Sequence, residues 1–139
     1  MTFRIVAGLR PKPGSRDTHL IQNLDYAETF LDIAGAKIPA DMQGSSLVPL
    51  LRGQNPKDWR TSIYYHYYES PSVNMIPRHY GIRTERYKLM HFYQFGNEWE
   101  LYDLQSDPDE LQNLYGKKGT AKLAADLKKQ LRGLQKHYE

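Results

Sequence analysis

The chain has 139 residues, 40% of them hydrophobic and 12% aromatic, with 11 tyrosines, no cysteine and a formal charge of +3. That suggests one domain, or a piece of one; the lack of cysteine excludes disulfides, thiolate metal sites and cysteine nucleophiles, and no apolar run approaches the roughly eighteen residues of a membrane span. The charge is lopsided: Lys117–Glu139 carries seven basic and two acidic residues against 12 basic and 14 acidic elsewhere, so the excess belongs to one terminal element, read as a solvated helix face.

In chain order, Phe3–Val6 is a strand candidate, followed by a loop forced by Pro11, Pro13 and Gly14. A helix follows, capped by Asn23 or Asp25 and running to Ile33, with Leu24, Ala27, Leu31 and Ala34 as its apolar face and Gly35 as its stop. Ser46–Leu51 reads as a second short helix, capped by Ser45 and ended by Gly53, with Pro49 tolerated only near the first turn. Residues 52–60 form a linker, and the boundary between two regions, 1–60 and 61–139, falls there. Beyond it, Ser62–Glu69 reads as a central strand rich in aromatics, and residues 70–77 as a loop. Tyr80–Thr84 and Tyr87–Tyr93 pair tightly through Glu85 and Arg86. Gly96-Asn97 suggests a type II′ hairpin turn, and Trp99–Leu104 is the fourth strand, an edge with Leu101 and Asp103 on one side. Asp107-Pro108-Asp109 ends it in a turn. Leu111, Leu114 and Tyr115 are spaced for one helical turn. After the glycines at 116 and 119, Thr120 caps a helix whose Leu123, Leu127, Leu131 and Leu134 make a stripe that one face of the sheet must cover.

Two ordered strings carry more than local structure. Asn23–Gly35, with Ile38-Pro39 and Met42–Leu51, resembles the "D.APT.LD.AG … P … QG.SL.PLL" segments of type I sulfatases, members of the alkaline phosphatase superfamily; Glu28 stands where that family usually has proline. Glu100–Tyr115 resembles their "ELYDL…DP.E..N" stretch, and Arg60 and Arg83–Lys88 extend the match across nearly the whole chain. The resemblance implies an α+β fold: a four-stranded antiparallel sheet with a C-terminal helix packed on it, preceded by a short strand and two helices from the edge of a larger α/β catalytic domain.

The resemblance also implies sulfate ester hydrolysis by a formylglycine made from a Cys/Ser-x-Pro-x-Arg motif, with a divalent cation, usually calcium, neutralising the sulfate. None of those parts is in this sequence. No serine has proline at +2 and arginine at +4, and there is no adjacent aspartate pair, no Asp-Asn or Asp-His step and no His-Glu-x-x-His motif. No catalytic or metal-binding residue is therefore assigned, calcium is expected only in a catalytic part outside this chain, and the chain alone is expected to be inactive. Met1 is expected to open a piece of a longer enzyme, periplasmic, secreted or lysosomal by family resemblance.

What the chain can offer is a border to a sugar-binding cleft. His66 lies among tyrosines, and by resemblance to polysaccharide sulfatases it could bond a sugar hydroxyl or carboxylate while Tyr65, Tyr67 or Tyr68 stack on the ring. Arg78, His79 and Arg83 are weaker candidates than His66, as cations for an acidic glycan. The expected partners are the remainder of the catalytic domain and a sulfated polysaccharide or glycosaminoglycan sugar, with no nucleic acid and no membrane. The alternatives are a free-standing glycan-binding module, or the same region of a phosphoesterase relative.

Overall fold

A computed structural model describes residues 13–69, 76–94 and 96–138. The expected strand at Phe3–Val6 and most of the loop at 70–77 lie outside the described residues. The chain divides into two compact units between Arg60 and Thr61.

The first unit holds helix α1 (Asp25–Ile33) and the single turn α2 (Val48–Leu51). Helix α1 ends as its glycine implies: Gly35 has φ +67°, its N–H donates to Asp32 O (3.1 Å), and Ala36 N–H reaches back to Leu31 O (2.9 Å), the paired bonds that satisfy a helix's last carbonyls. The buried face of α1 differs from the expected one. Ala27 and Ala34 are exposed and Leu31 is half-buried, whereas Asp25, Glu28 and Thr29 are buried.

The reason is that these polar side chains hold other backbone. Asp25 accepts from the amides of Gln22 (2.7 Å) and Ser45 (2.9 Å), Glu28 Oε1 from Gly44 N–H (2.5 Å), and Thr29 Oγ1 from Leu47 N–H (2.9 Å). Asp25 also receives both terminal nitrogens of Arg60. Neither Asn23 nor Asp25 is the helix cap; that position is Leu24, without a side-chain bond. The cap expected at Ser45 of α2 is likewise not found: the cap position is Leu47, without a side-chain bond, Ser46 Oγ accepts from Val48 N–H at 3.2 Å, and Pro49 sits in the first turn where its missing N–H costs nothing.

The second unit is an antiparallel meander of β1 (Ser62–Tyr67), β2 (His79–Thr84), β3 (Tyr87–Phe92) and β4 (Glu98–Asp103), in spatial order β1-β2-β3-β4, followed by helix α3 (Ala121–Tyr138). This is the sheet-plus-helix architecture that the sequence implies. Ile82, Leu89 and Leu101 lie side by side in the register and, with Ala124, Leu127 and Leu131 of α3, form the core.

Four local expectations change. Strand β1 is an edge, not central: among the described residues it pairs with β2 alone, and all six of its positions are half-buried. At the other edge Asp103 is buried beside Tyr102, because Arg86 grips it through Nε (3.0 Å) and Nη2 (2.8 Å). Gly96 and Asn97 both have positive φ (133° and 57°), whereas a type II′ turn needs it only at the glycine. Finally, Thr120 directs its hydroxyl at the carbonyls of Leu114 and Lys117 (2.9 and 2.8 Å) instead of receiving a helix amide.

The signature stretch ends in a turn whose aspartate works as anticipated: Asp107 accepts from the amides of Leu111 (3.1 Å) and Gln112 (2.8 Å). The helical turn expected after it does not form, and Leu111 is 80% exposed. Instead Asn113 Oδ1 accepts from Leu101 N–H (3.0 Å) and Tyr115 N–H (2.9 Å), while Leu114 N–H donates to Leu101 O (2.8 Å). Returning chain thus covers the free edge of β4, one of the ways proteins protect exposed strand edges.

Candidate substrate-facing site

Strand register decides which of the proposed binding residues can act together, because alternate side chains point to opposite faces. His66, Tyr80, His91 and Trp99 are aligned across the four strands on the face that also carries Ile82, Leu89 and Leu101. Tyr67, His79, Phe92 and Glu98 form a row on the other face, beside the row of Tyr65, Gly81, Met90 and Glu100. The structure therefore divides the six residues between two clusters.

The first cluster is centred on His66. Its ring stacks on Tyr68 with centroids 3.7 Å apart and meets the edges of Tyr64, Tyr80 and Tyr93. Both ring nitrogens are engaged, Nδ1 with the Tyr64 hydroxyl and Nε2 with the Tyr93 hydroxyl, each at 3.0 Å. A histidine held this way is a fixed hydrogen-bonding hub, and Tyr68, 65% exposed, offers an open ring face beside it. Arg78, just before β2, donates its backbone N–H to Gln94 Oε1 (3.1 Å), while Tyr93 N–H donates to Arg78 O (3.3 Å). Its guanidinium Nε is buried with no hydrogen-bond partner among the described residues.

The second cluster is Tyr67, His79 and Tyr65. Tyr67 stacks on His79 at 5.3 Å, and Tyr65 meets the same imidazole edge-on at 6.0 Å. Tyr65 lies over Gly81, where an added Cβ would come within 2.5 Å of its hydroxyl oxygen. That hydroxyl is buried without a hydrogen-bond partner among the described residues, and burial, followed by the charges of Glu110 and Glu100, pushes the phenol well above its ordinary range. Tyr65 is thus a packing residue held protonated. Arg83, the third candidate cation, is exposed on the same face.

His91, Tyr93 and Trp99 were not singled out from the sequence. His91 is 8% exposed, stacks on Trp99 at 4.2 Å and bonds Asn97 Oδ1 through Nε2 at 2.5 Å, fixing the base of the loop that presents Tyr93 to His66. The available signal was the alternation Leu89-His91 and Trp99-Leu101, which puts each aromatic on the helix-covered face. Among the described residues no three His, Asp or Glu side chains are grouped so as to hold a metal ion.

A four-stranded meander under one C-terminal helix, preceded by an acid-faced helix and a proline-bearing turn, defines the C-terminal part of a sulfatase-type fold. A solved structure described as being in complex with its substrate, D-glucosamine-2-N,6-O-disulfate, superposes with a TM-score of 0.78 at 49% identity, covering 82% of this chain and 24% of that one. The chain belongs to the family described as N-sulphoglucosamine sulphohydrolase, C-terminal, which matches residues 5–137. It is 48% identical over 130 residues to an N-acetylglucosamine-6-O-sulfatase of Bacteroides thetaiotaomicron, covering 92% of this chain and 23% of that protein. A phosphonate monoester hydrolase of Agrobacterium radiobacter is also similar, with a TM-score of 0.68 at 26% identity over 83% of this chain and 25% of that one. The chain spans about a quarter of the length of the curated relative it matches.

Proposed function

We propose that this chain is the C-terminal portion of a sulfuric ester hydrolase acting on sulfated amino sugars of polysaccharides or glycosaminoglycans, in which it completes the fold and borders the substrate pocket. The observation that carries the reading is the 48% identity to an N-acetylglucosamine-6-O-sulfatase across 92% of the chain. The partner is then the rest of the catalytic domain, which supplies the nucleophile and the cation, calcium by family resemblance. The residues present here do not fit that cation, since no cluster of ligands stands among those described. Their task is binding and positioning, and residues 1–60 are assigned to the tail of the catalytic domain.

Within that reading the His66 cluster is the substrate border. Tyr68 supplies a ring for a sugar to stack on, the tyrosine hydroxyls around His66 supply hydrogen bonds, and Arg78, whose buried Nε has no hydrogen-bond partner among the described residues, supplies a positive charge for an anionic substituent. Tyr65, Tyr67 and His79 form a separate candidate surface across the sheet.

The test is a fusion in which this chain replaces the matching C-terminal segment of the Bacteroides thetaiotaomicron relative. The fusion is expected to release sulfate from N-acetylglucosamine-6-O-sulfate, and Arg78→Ala is expected to raise KM by about tenfold with a smaller change in kcat. The similarity to a phosphonate monoester hydrolase favours a second reading. A folded fusion that cleaves a phosphonate monoester but no sulfate ester would establish it.

A further inference from the structure

The outward face of α3 is a run of positive charge that the pocket does not use. Lys122, Lys129 and Lys136 recur every seven residues, about 10 Å apart along the axis, and Arg132 falls between the last two; at 100° per residue the four occupy an arc of about 80°. All four are exposed, whereas Ala124, Leu127 and Leu131 on the opposite side are buried against the sheet. None of the four has an ion-pair partner among the described residues. Asp126, the helix's one acidic residue, lies at the margin of the stripe without bridging to it. Lys128, by contrast, turns inward to Tyr115 and Trp99. Like charges three and four residues apart, as in Lys129, Arg132 and Lys136, repel and weaken a helix slightly, and among the described residues no ion pair offsets that repulsion.

We propose that this face is an exosite for a sulfated polysaccharide chain, lying along the helix and contacting Lys122, Lys129, Arg132 and Lys136 through its sulfate groups. The occupant follows from charge complementarity with the substrate class proposed above, on which the inference rests. A regular linear polyanion suits an evenly spaced stripe, and binding would release the counterions held on the polymer. Single-stranded nucleic acid is disfavoured because no aromatic side chain lies within the stripe for bases to stack on. A polymer held here would raise the local concentration of chain ends near the pocket without touching the chemistry.

The experiment measures binding of a heparin octasaccharide and its desulfated, N-acetylated counterpart to the 139-residue chain, and to the fusion described above, at two salt concentrations. The wild-type protein should bind the sulfated oligosaccharide in a salt-sensitive way. A variant carrying Lys122→Gln, Lys129→Gln, Arg132→Gln and Lys136→Gln should bind at least tenfold more weakly and with a shallower salt dependence. In the fusion the same variant should keep its rate on the sulfated monosaccharide while KM for polymeric substrate rises. Unchanged binding by the variant, equal binding of the desulfated oligosaccharide, or equally tight binding of a charge-matched single-stranded oligonucleotide would overturn the exosite. A fusion unable to release sulfate, with binding intact, would remove the hydrolase reading and leave the exosite standing.

Discussion

The two units of this chain are held together by different physics. In residues 61–139 the buried set is apolar, Ile82, Leu89 and Leu101 meeting Leu127 and Leu131, and its stability comes from area removed from water and close packing. In residues 13–60 the most deeply buried side chains are Asp25, Glu28 and Thr29, with Val48 the one fully buried apolar residue. That unit is held by specific hydrogen bonds from one helix face to the backbone at residues 44–47 and to Arg60. The first arrangement should be sensitive to volume and the second to charge.

The largest effect that separates them is expected from Leu131→Ala, at 1% exposure. A truncation there should cost the sheet unit about 3–5 kcal/mol, read as a lower urea midpoint of its far-UV signal, while protection of amides in the first unit is unchanged. The mirror experiment is Asp25→Ala, which leaves Arg60 without its partner and two amides unbonded. Its cost, about 3 kcal/mol, should appear as faster hydrogen exchange at Gln22 and Ser45 and leave the sheet untouched. If either substitution melts both units equally, the distinction fails. A smaller loss, about 1–3 kcal/mol, is expected for Gly81→Ala, where the new methyl meets Leu89 O and the Tyr65 hydroxyl at 2.5 Å. Tyr65→Phe removes a buried hydroxyl with no partner among the described residues and should be neutral, or stabilising by up to about 1 kcal/mol.

Acid blurs the contrast in a defined way. Burial pushes the Asp25 carboxyl up, but Arg60 and the amides of Gln22 and Ser45 outweigh it, so it titrates below the ordinary 3.8. Asp103 is held at about 2, first by its bonds with Arg86. Because both values are depressed in the folded state, each carboxylate's contribution is complete above about pH 5. It is lost as pH falls, for Asp103 down through about 2. Thermal midpoints measured from pH 6 to pH 2 should therefore decline in both units, and Arg86→Gln should flatten the decline of the sheet unit alone.

What could be read from the sequence follows the same division. The meander, its tight turn at Glu85-Arg86 and the leucine stripe of α3 were legible because period-two and period-3.6 patterns are local and the apolar residues identify the buried side. The buried face of α1 was not. Periodicity selects Leu24, Ala27, Leu31 and Ala34, but the acidic residues are buried by partners 16 to 35 positions away, at Gly44, Ser45 and Arg60. Strand β1 looked central because its tyrosines resemble a covered strand, and only pairing shows it to be an edge. The candidate site was half legible. Consecutive strand positions point to opposite faces, so of the residues proposed around His66 only Tyr68 stays beside it, and Tyr65 and Tyr67 stand across the sheet. Tyr93, which completes the His66 hub, comes from a hairpin 27 residues further on.

In the function proposed above, this chain completes a sulfatase without carrying its reactive groups. Sulfate release from N-acetylglucosamine-6-O-sulfate by three proteins tests it: the Bacteroides thetaiotaomicron relative cut before the matching segment, this chain alone, and the two fused. Release is expected from the fusion only. Release by the chain alone, or a folded fusion with no activity, would contradict it.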